Sequence, residues 1–251
     1  MAVHIKWSND LSALPPHRLM LVALPGVGNV GKTAIEAVRE LHPTEELARL
    51  YPPGMPPIAA LDDRGLLTPP HLTLHASTTT NGAVLLTLTG SAQPNEPSQQ
   101  SQTARDIMDF FREHAVQDVL VLAGMLDEAA RKETFLVASD PDVRFELEQQ
   151  GVDVRRDEPT GGAYGVAALL ASMGPLFNVN TSCVISTSVG ASKDVFGAQR
   201  TLEHLNRWFD LGMAVPEDRS GWLKERLKDM APASPHDMVS ELTTQHDAFY
   251  M

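Results

Sequence analysis

Apolar runs of strand length alternate along the chain with stretches in which apolar residues recur every three or four positions, the pattern of a sheet covered by helices. The first run, Leu19 to Leu24, is closed by Pro25-Gly26. From Thr33 the spacing changes: Ile35, Val38 and Leu41 fall on one helical face, and Glu36, Arg39 and Glu40 on the other. Strand, glycine turn and helix therefore follow in that order. Prolines exclude a helix interior from Tyr51 to Pro57, and short strands are expected from Pro57 to Leu61 and from His71 to His75. Ala83 to Leu88 reads as a buried strand ending in Thr89-Gly90. A polar loop from Gln93 to Gln102 leads into a helix from Thr103 to His114, with Ile107, Phe110 and Phe111 inward. Val119 to Leu122 is the next strand and ends in Ala123-Gly124. The turn Pro159-Thr160-Gly161-Gly162 precedes an apolar helix from Tyr164 to Met173, and Cys183 to Thr187 is the last core strand.

Four apolar strands, each followed by a turn of small residues, predict an α/β fold: a three-layer sandwich with a mostly parallel central sheet. Beyond Ser192 the pattern is helical only. Leu202, Leu205, Trp208 and Phe209 share a face before Gly212, and Ser220 reads as the N-cap of a helix carrying Trp222, Leu223 and Leu227. Ser234, Pro235 and Asp237 open one more short helix. No linker-like stretch divides the chain, so residues 1–242 are expected to form a single domain with C-terminal helices. From Thr243 the sequence turns polar, and residues 243–251 read as a flexible tail.

Composition narrows the function. With 251 residues, 43% of them apolar, the chain can bury a large core. A formal charge of -12, from 20 Lys and Arg against 32 Asp and Glu, removes the electrostatic basis for gripping nucleic acid or an anionic membrane. The longest apolar run, Leu19 to Leu24, is far short of the ~20 residues that span a bilayer. The first residues lack the apolar core of a signal peptide. Cys183, the one cysteine, can form no internal disulfide and no multi-thiolate metal site. A cytoplasmic location is expected.

One motif stands out locally. Gly26-Val27-Gly28-Asn29-Val30-Gly31-Lys32-Thr33 matches G-x-x-x-x-G-K-[ST] between a strand and a helix. In a phosphate-binding loop Gly26, Gly28 and Gly31 would let backbone N–H groups converge on phosphates, Lys32 would reach the terminal groups, and Thr33 would hold magnesium. Such a site also needs an acid just past a neighbouring strand, and the candidate strands end in Thr89-Gly90, Ala123-Gly124 and Ser188-Val189-Gly190. The competing reading is a tight turn whose glycines permit close packing. Other chemistry is thin. No G-x-S-x-G elbow occurs. His71 and His75 share a strand face without a third metal ligand, and Cys183 sits in an apolar strand as packing. Lys193-Asp194, after the last strand, either lines a pocket near Gly90 and Gly124 at the carboxyl ends of the sheet or belongs to a solvated loop.

Several segments taken in order resemble the proteasome assembly chaperone 2 family of archaea and bacteria. They are Leu24 to Lys32, Tyr51 to Pro57 with Asp62, Leu86 to Pro94, Leu122 to Met125, and Thr160 to Gly165, and the resemblance spans about Leu19 to Leu211. It implies a three-layer α/β fold similar to that of purine nucleoside phosphorylases, homo-oligomerisation, and ATP-independent help in assembling the proteasome core particle. No catalytic residue, metal or cofactor is implied. The family carries a P-G-x-G-N-V-G turn without being known as NTPases, which accounts for the octet. Members that bind the core particle do so through a terminal hydrophobic-Tyr-X motif, and here Phe249, Tyr250 and Met251 fill those positions, with the core-particle α subunits as the implied partner. Three readings stay open: a chaperone or core-particle binder, a nucleotide- or phosphate-binding enzyme using residues 26–33, and a ligand-binding oligomer with a pocket at the strand ends.

Overall fold

The computed structural model describes residues 2–9, 11–61, 65–190 and 192–213. In chain order its elements are β1 (His4–Trp7), β2 (Leu19–Val22), a 3-10 turn (Val27–Asn29), α1 (Val30–Leu41), β3 (Thr44–Tyr51), β4 (Ala60–Leu61), β5 (Leu67–Thr68), β6 (Leu72–Thr78), β7 (Val84–Gly90), α2 (Pro97–Glu113), β8 (Asp118–Leu126), β9 (Thr134–Ala138), α3 (Pro141–Gln149), α4 (Val166–Phe177), β10 (Asn180–Ser188) and α5 (Val195–Phe209). Eight strands form one sheet in the order β1-β3-β6-β7-β2-β8-β10-β9, and β4 pairs only with β5 in a separate ribbon.

The four strands expected from the apolar runs are the sheet's parallel centre: β2 runs parallel to β7 and β8, and β8 parallel to β10. Every residue of β2 is buried, as a strand covered on both faces requires. One face packs on α2 and α4: Ile107, Phe111 and Leu170 meet Met20, Val22, Leu86, Leu88, Val119 and Val121. The opposite face is covered by α1, which buries Ile35 and Val38, and by α5, which buries Leu202 and Leu205. The result is the expected three-layer α/β sandwich. The margins are antiparallel: β6, β3 and β1 on one side and β9 on the other. β1 is the outermost strand there, four residues long, with His4 and Lys6 exposed.

Several expectations need correction. Helix α2 starts at Pro97, not Thr103, so most of the expected loop from Gln93 to Gln102 is helical; proline suits a first helical turn, and the polar run is its outer face. The expected strand from Pro57 to Leu61 shrinks to Ala60–Leu61 and lies off the main sheet. His71 precedes β6, so it does not share a strand with His75. Five elements went unforeseen, among them β5, two residues long and paired with β4 alone. β1 is short, and β3 has a bulge between Glu46 and Ala48 that breaks its alternation. β9 is brief, and α3 buries only Leu147. Arg39 does not stay on the outer face of α1: its guanidinium donates to Thr87 Oγ1 and Thr73 Oγ1, both at 2.9 Å, and to the carbonyls of Thr73 at 2.9 Å and Thr87 at 3.1 Å. A long stem carrying a fork of donors can turn inward when threonines line the sheet. Asp62, the helices expected around Trp222 and Met238, and the tail 243–251 lie outside the described residues.

Candidate functional site

The chain crosses from strand to loop at the carboxyl ends of β2, β7, β8 and β10, and the octet lies there. Gly28 has φ 61° and ψ 6°, and a Cβ on it would stand 2.5 Å from Ser188 Oγ and 3.1 Å from Asp194 Cβ. Both demands exclude any larger residue. Gly31 has ordinary helical backbone but no room: a Cβ would come 2.7 Å from the carbonyl carbon of Leu122 in β8. Glycines at these positions let α1 begin against the neighbouring strand. Asn29, also left-handed at φ 45°, donates from Nδ2 to Ser192 O at 2.8 Å, and Asp194 N donates to Gly28 O at 2.7 Å. The turn is thus tied to the loop after β10. Gly26 is extended, and a Cβ on it would meet only Leu24 O, at an ordinary contact distance of 3.8 Å.

The side chains of the octet are engaged elsewhere. Thr33 is buried at 1% exposure. Lys32 pairs with Glu36 one turn along α1. An acid does approach the loop, but from the β10–α5 connection: Asp194 caps α5, its Oδ1 accepting from Gly197 N at 2.7 Å. Burial, with Lys32 nearby, lowers the pKa of Lys193, an effect opposed by Glu36.

The segments that carried the resemblance meet at this edge. Gln93, just past β7, donates from Nε2 to Pro25 O at 3.2 Å and accepts from Val166 N at 3.3 Å through Oε1, joining the glycine turn to the start of α4. Gly54 O accepts from Asn95 N at 3.4 Å, which brings in the proline-rich stretch. Gly124 of β8 packs beneath the carbonyl of Val27. Sequence order lists these pieces one after another and carries no sign that they converge. The edge also exposes apolar side chains: Val27, Leu126 and Val189, and Tyr164, which is 98% exposed and precedes α4 (Val166–Phe177) instead of opening the expected helix from Tyr164 to Met173. The signal for that exposure was present at Tyr164, an aromatic flanked by glycines at 161, 162 and 165.

Cys183 borders the core on the α2 and α4 side, and burial pushes its thiol up to about 12, away from reactivity. His71 stacks near Tyr51, ring centroids 5.4 Å apart. His75 faces Arg39, Glu46 and Arg49; burial first, then Arg39, lowers it to about 4. Among the described residues no group of three His, Cys, Asp or Glu side chains could hold a metal, and no helix is long and apolar enough to cross a membrane. Four surface cavities are lined by residues around Pro15 and Asp118, around Leu147 and Phe209, around Trp7 and Glu46, and around Asp153 and His204. None of these four includes a residue of 26–33 or Gly90, Gly124 or Lys193. Phe249, Tyr250 and Met251 lie outside the described residues.

The model of the PAC2 family matches residues 20–227. No curated protein matches the chain. Solved structures do. A crystal structure of Pyrococcus furiosus PbaB, an archaeal proteasome activator, is 20% identical with a TM-score of 0.74, over 96% of this chain and 99% of that one. Pyrococcus furiosus PbaA, an archaeal homologue of proteasome-assembly chaperone, is 19% identical with a TM-score of 0.70 over the whole of both chains. A PAC2 family protein from Streptomyces avermitilis is 19% identical with a TM-score of 0.63, over 85% of this chain and 95% of that one. At these identities the likeness is one of fold.

Proposed function

This chain belongs to the PAC2 family, and from that premise we propose that it is a proteasome assembly chaperone or core-particle-binding protein. It acts by contact and without ATP, docking Phe249, Tyr250 and Met251 into pockets of the proteasome α-ring. The observation that carries this reading is the octet itself: Gly28 and Gly31 are filled against Ser188, Asp194 and Leu122, and Thr33 is buried, so the glycines serve packing. The relatives support it by name, one as a proteasome activator and one as a homologue of an assembly chaperone. The protein works as a homo-oligomer in the cytoplasm.

Docking of the tail has a simple physical basis. Tyr250 supplies a rigid amphipathic ring whose hydroxyl finds a partner while its face packs. Phe249 adds apolar area, and the carboxylate of Met251 meets a pocket lysine as a charge-assisted pair. Each tail gives up conformational freedom on docking, so one alone binds weakly. Several tails on one oligomer bind tightly when their spacing matches the pockets. The test is binding to a purified proteasome core particle. Deleting residues 249–251, changing Tyr250 to Ala, or adding one residue after Met251 should each abolish binding and leave circular dichroism unchanged. Wild-type binding by the extended protein would refute the carboxylate mechanism, and wild-type binding by the deletion would refute the tail.

A further inference from the structure

The β4–β5 ribbon stands apart from the rest of the fold. Its two-residue strands pair with each other and not with the main sheet, and neither strand contains a buried residue. Ile58 is 64% exposed, and Leu61 and Leu67 are each 71% exposed. An isolated two-stranded hairpin is at best marginally stable in water and needs a surface to pack on. The ribbon leaves the sheet after Tyr51 and returns at Leu72, and Leu72 pairs with Gly90 at the end of β7, so its root lies at the carboxyl edge.

The same edge carries a second apolar feature. Val27 is 36%, Leu126 68% and Val189 55% exposed. They sit together: the Val27 carbonyl covers Gly124, Asp127 N donates to Ser188 O at 2.9 Å, and Gly190 lies beside the Leu126 side chain. The strand order puts this patch over β2, β8 and β10, three to four strands from the ribbon's root between β3 and β6, or roughly 15–20 Å at the usual strand spacing. One chain therefore carries a protruding apolar element and, at a separate place, an apolar surface of matching size.

We infer that copies of this chain associate by seating Ile58, Leu61 and Leu67 of one ribbon on the Val27, Leu126 and Val189 patch of another copy. A second copy is the occupant because it presents both halves of the contact. Six side chains of roughly 100 Å² each, on average more than half exposed, bring about 350 Å² of apolar surface to one such contact. Where a pair of copies makes the contact twice the figure doubles, a fitting apolar centre for an interface of about 1,200–1,600 Å². With a net charge of -12, two copies approach best where apolar side chains meet, and these six residues carry no charge themselves. The inference rests on the homo-oligomer reading and adds the surfaces that make it.

Complementation tests the pairing. A ribbon variant, Leu61→Asp with Leu67→Asp, and a patch variant, Leu126→Asp, alter exposed positions and should keep the wild-type circular dichroism; Leu61→Ser and Leu126→Ser serve if either fails to fold. By light scattering at micromolar concentration the wild type should exceed the 27.3 kDa of one chain, and each variant alone should fall to it. An equimolar mixture should recover a one-to-one pair of twice that mass, because the mixture holds one intact ribbon and one intact patch. A monomeric wild type would remove the oligomer reading and this inference with it. An oligomeric wild type with both variants unchanged in mass would overturn the inference alone. Monomeric variants that stay monomeric on mixing would show that ribbon does not meet patch. A ribbon variant that keeps its mass but loses the core particle would assign the ribbon to the α-ring instead.

Discussion

A Cβ on Gly31 would stand 2.7 Å from the carbonyl carbon of Leu122, so the first turn of α1 and the strand β8 approach as closely as two backbones can. The consequence is a graded series within one motif. Gly31→Ala must push α1 off the sheet, at a cost of about 1–3 kcal/mol. For a chain of this size that lowers the melting temperature by about 3–10 °C. Gly28→Ala should be comparable, from its left-handed backbone and its contact with Ser188. Gly26→Ala should change nothing, since its nearest neighbour would be Leu24 O at 3.8 Å. A phosphate-binding loop predicts the same intact fold for Gly26→Ala but the loss of a bound nucleotide. Thermal melts and an ATP titration on the three variants separate the two accounts.

Lys32→Ala should leave core-particle binding intact and move the melting temperature by no more than about 3 °C, because a partly exposed pair with Glu36 contributes at most about 1 kcal/mol. Magnesium-dependent ATP binding in the wild type, lost in this variant, would restore the nucleotide reading.

Arg39 is a stronger handle on stability than any side chain of the octet. Arg39→Met strips four hydrogen bonds from the β6 and β7 threonines and should cost about 2–3 kcal/mol, a fall of about 5–10 °C in melting temperature. Arg39→Lys should recover little, since an ammonium cannot span four acceptors set around a planar fork. A melt within about 2 °C of wild type for Arg39→Met would contradict this account.

How legible this was varied with the kind of signal. The strands β2, β7 and β8 were readable because burial on both faces makes their sequences largely apolar, whereas β10 showed only Cys183-Val184-Ile185 between buried threonines and serines. β3, Thr44–Tyr51, was not readable. Its Glu45, Glu46 and Arg49 stay out of the core, and the bulge buries Leu47 and Ala48 in succession, out of step with a two-residue period. α3 hid for a different reason: a helix that buries one leucine has almost no apolar stripe to detect. At the site, the motif was plain in sequence, yet its meaning lay in distances from Gly28 to Ser188 and from Gly31 to Leu122, contacts across most of the fold. Arg39 was misplaced because helical periodicity assigns a face by polarity, and polarity does not reveal threonines waiting in the sheet.

Acidification should weaken the fold through His75. Its folded value, about 4, lies below the 6.5 of an unconstrained histidine, with burial the main cause and Arg39 and Arg49 adding to it against Glu46. The unfolded chain therefore binds the proton first. The stabilisation is complete above pH ~6.5 and is lost as the pH falls from there toward about 4. His42 and His204, both lowered mainly by burial, act in the same direction. His75→Gln should flatten the dependence of melting temperature on pH across that window. An unchanged slope would mean that His75 takes its proton in the folded state without penalty.

The margin of the sheet at β1 also bears on how copies can meet. Four residues long, with Lys6 within it, this edge offers an incoming strand few amides to pair with and a charge to bury. A sheet continued from one copy into the next by this route would gain few hydrogen bonds and bury a charge. Growth of the kind that turns an exposed edge into a fibre is blunted at this margin, which accords with the proposed pairing of ribbon and patch, where the extent of association would be set by how many of each there are to match.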